Sequence, residues 1–200
     1  GMPASHADVM GRVVSSAPFL CFEWTHGATY RVLTHLIGTY NITNMLAAIT
    51  IGLRFGVSPE QICHALEHYI PSNNRSQLTV TQRNSLIVDA YNANPTSMKA
   101  AVDNFAFMQV DHKMAILGDM RELGTASREE HQRIADHIAS LGLKDVWLVG
   151  EEFAHTDTAY RKFADVEEVK QALADNDIRD HYILIKGSNG IRLYELPPLL

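Results

Sequence analysis

Hydrophobic and polar positions change their period twice along the chain. The first stretch holds three short runs, Arg12–Ser16, Phe19–Trp24 and Thr29–Thr34, rich in β-branched and aromatic residues. Ala17-Pro18 and His26-Gly27 separate them, so the spacing predicts an antiparallel three-stranded meander. Its abrupt start on an unpaired edge suggests part of a larger domain. A helical period follows. Asn41–Phe55 aligns Met45, Ile49 and Leu53 on one face beside Leu46 and Ala48, and Gly56 stands where the helix should end. Ser58-Pro59-Glu60-Gln61 then has the form of a capping box with proline in the first turn. The helix it opens has Ile62, Ala65, Leu66 and Tyr69 as its expected apolar face.

Pro71-Ser72-Asn73-Asn74 is a polar break, and the expected domain boundary lies between residues 73 and 74. Beyond it the pattern alternates. Leu78–Thr81 and Ser85–Asp89 predict a hairpin around Gln82-Arg83-Asn84. Helices are expected over Ser97–Phe107, Arg128–Leu141, Val166–Ala174 and from about Gly190. Strands are expected over Lys113–Leu117, Asp145–Val149 and Tyr182–Ile185. Alternation of this kind predicts an α/β fold, a mostly parallel sheet with helices on both faces. Ligands of such sheets bind beyond the carboxyl ends of the strands.

Composition narrows the function. Apolar residues make up 46% of the 200-residue chain, enough for a substantial core. The formal net charge is −6 with no basic stripe, which argues against a nucleic-acid partner. The apolar runs are too short for membrane insertion, and no secretory h-region is seen, so a cytoplasmic location is expected. Cys21 and Cys63 are far apart and read as free thiols in a reducing compartment.

The strand-end rule selects three loops. They are Asp89-Ala90-Tyr91-Asn92-Ala93-Asn94-Pro95, Gly118-Asp119-Met120-Arg121-Glu122-Leu123-Gly124 and Lys186-Gly187-Ser188-Asn189-Gly190. Together they offer carboxylates, carboxamides, an ammonium and backbone N–H groups, a set suited to a ribose and a zwitterionic substrate. A strand-end aspartate can accept both ribose hydroxyls, and Lys186 with the Gly187–Gly190 backbone could hold a carboxylate at a helix N-terminus. Each residue also has a plainer reading: Asp89 as a turn cap, Asn92 and Asn94 as Asx-turn residues, Asp119 as a loop residue, and Lys186 as part of a common Lys-Gly turn. Three such loops on one edge weigh more than any one alone. His64-Ala65-Leu66-Glu67-His68 has the letters of an inverted zinc-peptidase motif, yet it falls on a polar helix face without a third ligand, so no metal site is expected. No Gly-x-x-x-x-Gly-Lys-[Ser/Thr] loop and no Gly-x-Ser-x-Gly elbow occurs.

Taken in order, these loops resemble the Mur ligase family. The resemblance rests on Asp89-Ala90-Tyr91-Asn92-Ala93-Asn94-Pro95, then Ser97-Met98, Leu117-Gly118-Asp119-Met120, Glu122-Leu123-Gly124, His131 and Lys186-Gly187-Ser188. Upstream, Gly38-Thr39-Tyr40-Asn41-Ile42-Thr43-Asn44-Met45-Leu46-Ala47-Ala48 is similar to a family helix start. Tyr40 stands where the family has histidine, and Asn73-Asn74-Arg75-Ser76 where it has Gly-Arg. The resemblance implies that residues 1–73 are the tail of a central ATP-binding domain and 74–200 a Rossmann-like C-terminal ligase domain. It implies a parent enzyme that uses ATP and Mg2+ to join D-alanyl-D-alanine to a UDP-N-acetylmuramoyl-tripeptide through an acyl phosphate. Asn41, Arg75, Asp89 and Tyr91 would contact the nucleotide. Asn92, Asn94, Asp119, Lys186 and Ser188 would contact the substrate. Catalytic phosphate-loop and metal-ligand residues would lie outside this chain, which would be inactive alone and bind no cofactor tightly. Two other readings stand beside this one: a free-standing nucleotide- or peptide-binding module, and a folate-type glutamate ligase.

Overall fold

In the computed structural model, residues 9–16, 19–71 and 77–200 are described. The chain forms two compact units, Gly1–Ile70 and Pro71–Leu200.

The first unit begins with an antiparallel sheet in the order β1 (Met10–Ser15), β2 (Cys21–His26), β3 (Ala28–Leu33). Gly27, at φ 71°, makes the tight turn between β2 and β3. Helices α1 (Ile42–Arg54) and α2 (Pro59–His68) follow. Their shared core holds Phe22, Trp24, Val32, Met45, Ile49 and Ile62. The capping box at Ser58 is present: Gln61 N–H donates to Ser58 Oγ at 3.3 Å and Ser58 N–H to Gln61 Oε1 at 3.2 Å. The expected face of α2 is narrower in fact. Ile62 and Leu66 are buried, whereas Ala65 is exposed and Tyr69 lies past the helix end, exposed, in extended backbone. Both cysteines are free thiols, Cys21 buried and Cys63 half-buried.

The second unit is built on a six-stranded sheet in the order β4-β5-β9-β6-β7-β8. The strands are β4 (Gln77–Val80), β5 (Ser85–Asp89), β6 (Lys113–Gly118), β7 (Asp145–Val149), β8 (Arg161–Phe163) and β9 (Tyr182–Lys186). The β4–β5 hairpin is antiparallel and every other pair is parallel. The helices are α3 (Pro95–Phe107), α4 (Ser127–Ser140), α5 (Glu151–Ala154) and α6 (Val166–Ala174).

Strand alternation sorts the core into two layers. Val88, Met114, Ile116, Ile183 and Ile185 pack on one face with Val169 and Leu173 of α6 and with Leu193 and Leu196. The intervening residues Ile87, Ala115, Leu117 and Leu184 are buried on the other face, where α3 contacts β9 and α4 packs on α3. Helices therefore cover both faces, as the alternation predicts. Among the described residues no helix is long and apolar enough to cross a membrane.

Two parts of the expected layout need correction. The stretch after β7, without assigned structure in the sequence reading, contains α5 and the edge strand β8. β8 is only three residues long and two of them are basic, too little for a period to register. The helix expected from about Gly190 is instead three 3-10 turns, Asn189–Ile191, Leu193–Glu195 and Pro197–Leu199. Arg192 adopts a left-handed conformation (φ 64°) and Pro197-Pro198 cannot donate backbone hydrogen bonds, so an α-helix cannot propagate there.

Candidate functional site

Asp89 and Lys186 are the last residues of neighbouring parallel strands and face each other in register. Side chains in register on adjacent strands share a face, so the pair forms directly: Lys186 Nζ lies 2.7 Å from Asp89 Oδ2 and donates to Asn92 O at 3.2 Å. The Lys186 side chain is 1% exposed and that of Asp89 14%. The lysine thus fastens the first loop to β9. The anion site expected at the N-terminus of a final helix has only a 3-10 turn behind it, and the macrodipole argument for it lapses.

Ser188 carries the linkage onward. Its N–H donates to Asp119 O at 3.1 Å, and its Oγ accepts the Arg121 N–H at 2.8 Å while lying 3.5 Å from Ala93 O. Close backbone approach makes this junction possible: a Cβ on Gly187 would lie 3.0 Å from Gly118 Cα. All three loops selected from the sequence therefore join at one end of the sheet, in the series Asp89–Lys186–Ser188–Asp119.

The series extends to a fourth loop. The Asp119 carboxylate accepts the N–H groups of Glu152 (3.0 Å) and Phe153 (2.9 Å). Gly150, at φ 120° and ψ 170°, makes room for it, because a Cβ there would lie 2.2 Å from Asp119 Oδ2. Burial pushes the Asp119 carboxyl above the usual range, against the lowering effect of the two backbone donors. His131 supports the same loop. Met120 N–H donates to its Nε2 at 2.9 Å, so Nδ1 carries the proton and donates to Ser127 O at 2.7 Å. The neutral ring lies 3.7 Å from Asp119 without forming an ion pair.

The other expected site residues have local partners. Asn94 caps α3 in a reciprocal box with Ser97. Asn92 Oδ1 accepts the N–H of Ala93, and Tyr91 is half-exposed. Asn41 is buried in the first unit, donating to Ile37 O at 2.8 Å and accepting from Asn44 at 3.2 Å. Arg75 lies outside the described residues. His64 and His68 stack on an exposed face of α2, and no metal-ligand group of three forms among the described residues.

An open cavity of about 930 Å³ lies at this strand edge, bounded by the loops after β6 and β7, the start of α6 and residues 190–192. Arg121, Arg192, Glu122, Glu151, Glu152 and Asp165 line it, together with Asp119 and Glu167. The Gly150–Phe153 loop is not among the three loops selected from the sequence. The strand-end rule applied to Val149 would have found it.

Residues 74–189 match the family described as "Mur ligase, glutamate ligase domain". A UDP-N-acetylmuramoyl-tripeptide–D-alanyl-D-alanine ligase from Treponema pallidum is 32% identical over 177 residues, which cover 82% of this chain and 38% of that relative. A solved UDP-N-acetylmuramoylalanyl-D-glutamyl-2,6-diaminopimelate–D-alanyl-D-alanyl ligase from Acinetobacter baumannii is 26% identical with a TM-score of 0.84, covering 96% of this chain and 44% of that one. A MurF ligase from Thermotoga maritima, solved in complex with ADP, shares the fold at 17% identity and a TM-score of 0.80, covering 98% of this chain and 46% of that one. The chain thus spans less than half the length of each of these relatives, between 38% and 46%. With the matched segment coinciding with the unit that carries the four linked strand-end loops, the chain belongs to the Mur ligase family.

Proposed function

We propose that this chain is the C-terminal portion of an ATP-dependent ligase that joins D-alanyl-D-alanine to a UDP-N-acetylmuramoyl-tripeptide. In this reading the first unit is the tail of the central ATP-binding domain, and the second unit binds the incoming dipeptide and one side of the nucleotide. The single observation that carries the reading is the cavity between the loops after β6, β7 and β9 and the start of α6, with guanidinium and carboxylate groups together on its walls.

The chemistry assigned to the parent needs activation of a carboxylate, which is a poor electrophile. ATP supplies the phosphoryl group, the dipeptide amine attacks the acyl phosphate, and phosphate leaves. The contribution of this chain is positioning. Asp89 keeps Oδ1 for a ribose hydroxyl while Lys186 holds Oδ2, and Tyr91 stands beside it at the same edge. Lys186, Ser188 and Asp119 act mainly by fixing the loops that shape the dipeptide pocket, since each is buried and already bonded to protein. Asn92 and Asn94 lie in the loop after β5, outside the cavity lining, and serve to shape that loop. Mg2+ would assist phosphoryl transfer, but the described residues of this chain offer it no ligand cluster.

A glutamate-adding ligase is the second reading, favoured by the description of the matched family. The cavity weighs against it, because its carboxylates outnumber its two guanidinium groups and would oppose a substrate with two carboxylates. The test is calorimetric titration with D-alanyl-D-alanine and with ATP, beside an assay of phosphate release with all three substrates. Weak binding without turnover is expected. No dipeptide heat at millimolar concentration would remove the pocket assignment, and turnover at an ordinary ligase rate would remove the idea that the chain needs the rest of the enzyme.

A further inference from the structure

We infer that the Arg121 guanidinium anchors the single carboxylate of the peptide bound in this cavity, and so sets both the orientation of that peptide and its limit of one carboxylate. This rests on the reading of the cavity as the peptide site.

Two guanidinium groups line the cavity, and they differ in what they hold. Arg192 Nε donates to Glu195 Oε1 at 2.6 Å, and its Nη2 lies 3.8 Å from Glu167, so its charge is already matched. Among the described residues Arg121 forms no ion pair. Its acceptor is a neutral carbonyl, Gly190 O, at 3.3 Å. A guanidinium has five donors, so most of this fork remains for a ligand, in the geometry that suits a carboxylate bound through both oxygens.

Arg121 is also held in place. Its N–H is bound by Ser188 Oγ, and its guanidinium lies over the bare backbone of Gly190, where a Cβ would come within 2.6 Å of Arg121 Cζ. The side chain therefore bridges the loops after β6 and β9. Opposite charge dominates the remaining wall. Glu122, Glu151 and Glu152 form no ion pair among the described residues, and Asp165 is occupied only in capping α6. A ligand with one carboxylate at Arg121 and an amino group at its other end matches this distribution, and a second carboxylate would meet like charge.

The experiment is a titration of the chain with D-alanyl-D-alanine, its C-terminal amide and D-alanyl-D-glutamate, for the unaltered protein, R121Q and G190A. For the unaltered protein the amide and the glutamate dipeptide should each bind about tenfold or more weaker than D-alanyl-D-alanine. R121Q should lose the same factor for D-alanyl-D-alanine and bind the dipeptide and its amide alike. G190A, which displaces the guanidinium but keeps its charge, should fall between. In the unaltered protein the Arg121 side-chain N–H resonance should move with the dipeptide and not with the amide, a readout independent of any variant. Preference for the dipeptide over its amide surviving in R121Q would overturn the inference and leave the peptide site standing. Failure of the unaltered protein to bind any of the three ligands would overturn both.

Discussion

At the residue scale, the pairing of Asp89 with Lys186 recasts what these residues do. In sequence they read as separate ligand contacts; in space they are one buried ion pair that fastens two strand ends. Removing one partner strands the other charge, a cost of about 3–5 kcal/mol for a fully buried pair. D89L should therefore destabilise the second unit strongly, and D89L/K186M should recover part of that loss. Urea denaturation of the two variants compares them, and a double variant no more stable than D89L would refute the pairing argument. Gly150 gives a second residue-scale expectation. Its φ of 120° with ψ 170° is open essentially to glycine alone, and an added methyl would meet the Asp119 carboxylate. G150A should cost about 2–3 kcal/mol from strain and displacement together, seen as a lower urea midpoint with an unchanged slope.

At the scale of elements, α3 and α4 are tied by Asp103, which accepts from His137 Nε2 at 2.6 Å and from Lys99 Nζ at 2.6 Å. Burial pushes the Asp103 carboxyl up, but these bonds outweigh it and the net shift is downward. A carboxyl lowered in the folded state stabilises above its unfolded value, near pH 4, and loses that contribution as pH falls through the folded value. D103N should cost about 0.5–1 kcal/mol at neutral pH, modest because the pair is partly solvated. The gap between the two proteins should close progressively as pH falls below the usual aspartate range. A gap that stays equal from pH 7 down through the whole acid range in which the protein remains folded would show that the charge contributes nothing. The elements themselves were largely legible in sequence. The capping box at Ser58 was read directly, because such boxes are made by residues three apart. β8 was not, since a three-residue edge strand gains its stability from pairing with β7 rather than from its own pattern.

For the whole molecule, the cluster around Phe22 and Ile49 and the cluster around Ile116 and Ile185 share no residue. Each unit can bury its own core, and the second has a complete sheet covered on both faces. Residues 71–200 made alone should keep their cooperative unfolding and their dispersed amide spectrum. They should also bind D-alanyl-D-alanine within about threefold of the full chain if the cavity is the peptide site, since every lining residue lies in this unit. Calorimetry and NMR of the shortened chain check this, and a non-cooperative melt would show that the second unit depends on the first.

The sequence by itself determined the α/β alternation, the polar break near Pro71, the capping box at Ser58 and the three strand-end loops that carry the family resemblance. These follow from interactions between near neighbours and from side-chain periods of about 2 and 3.6. The tertiary structure alone decided which polar groups are spent on holding loops together and which remain for a ligand. Lys186 is buried against Asp89, Asp119 faces the Gly150 loop, and Arg121 keeps most of its donors. That partition depends on strand order and register, which bring residues nearly a hundred positions apart within hydrogen-bonding distance, and no local pattern encodes it.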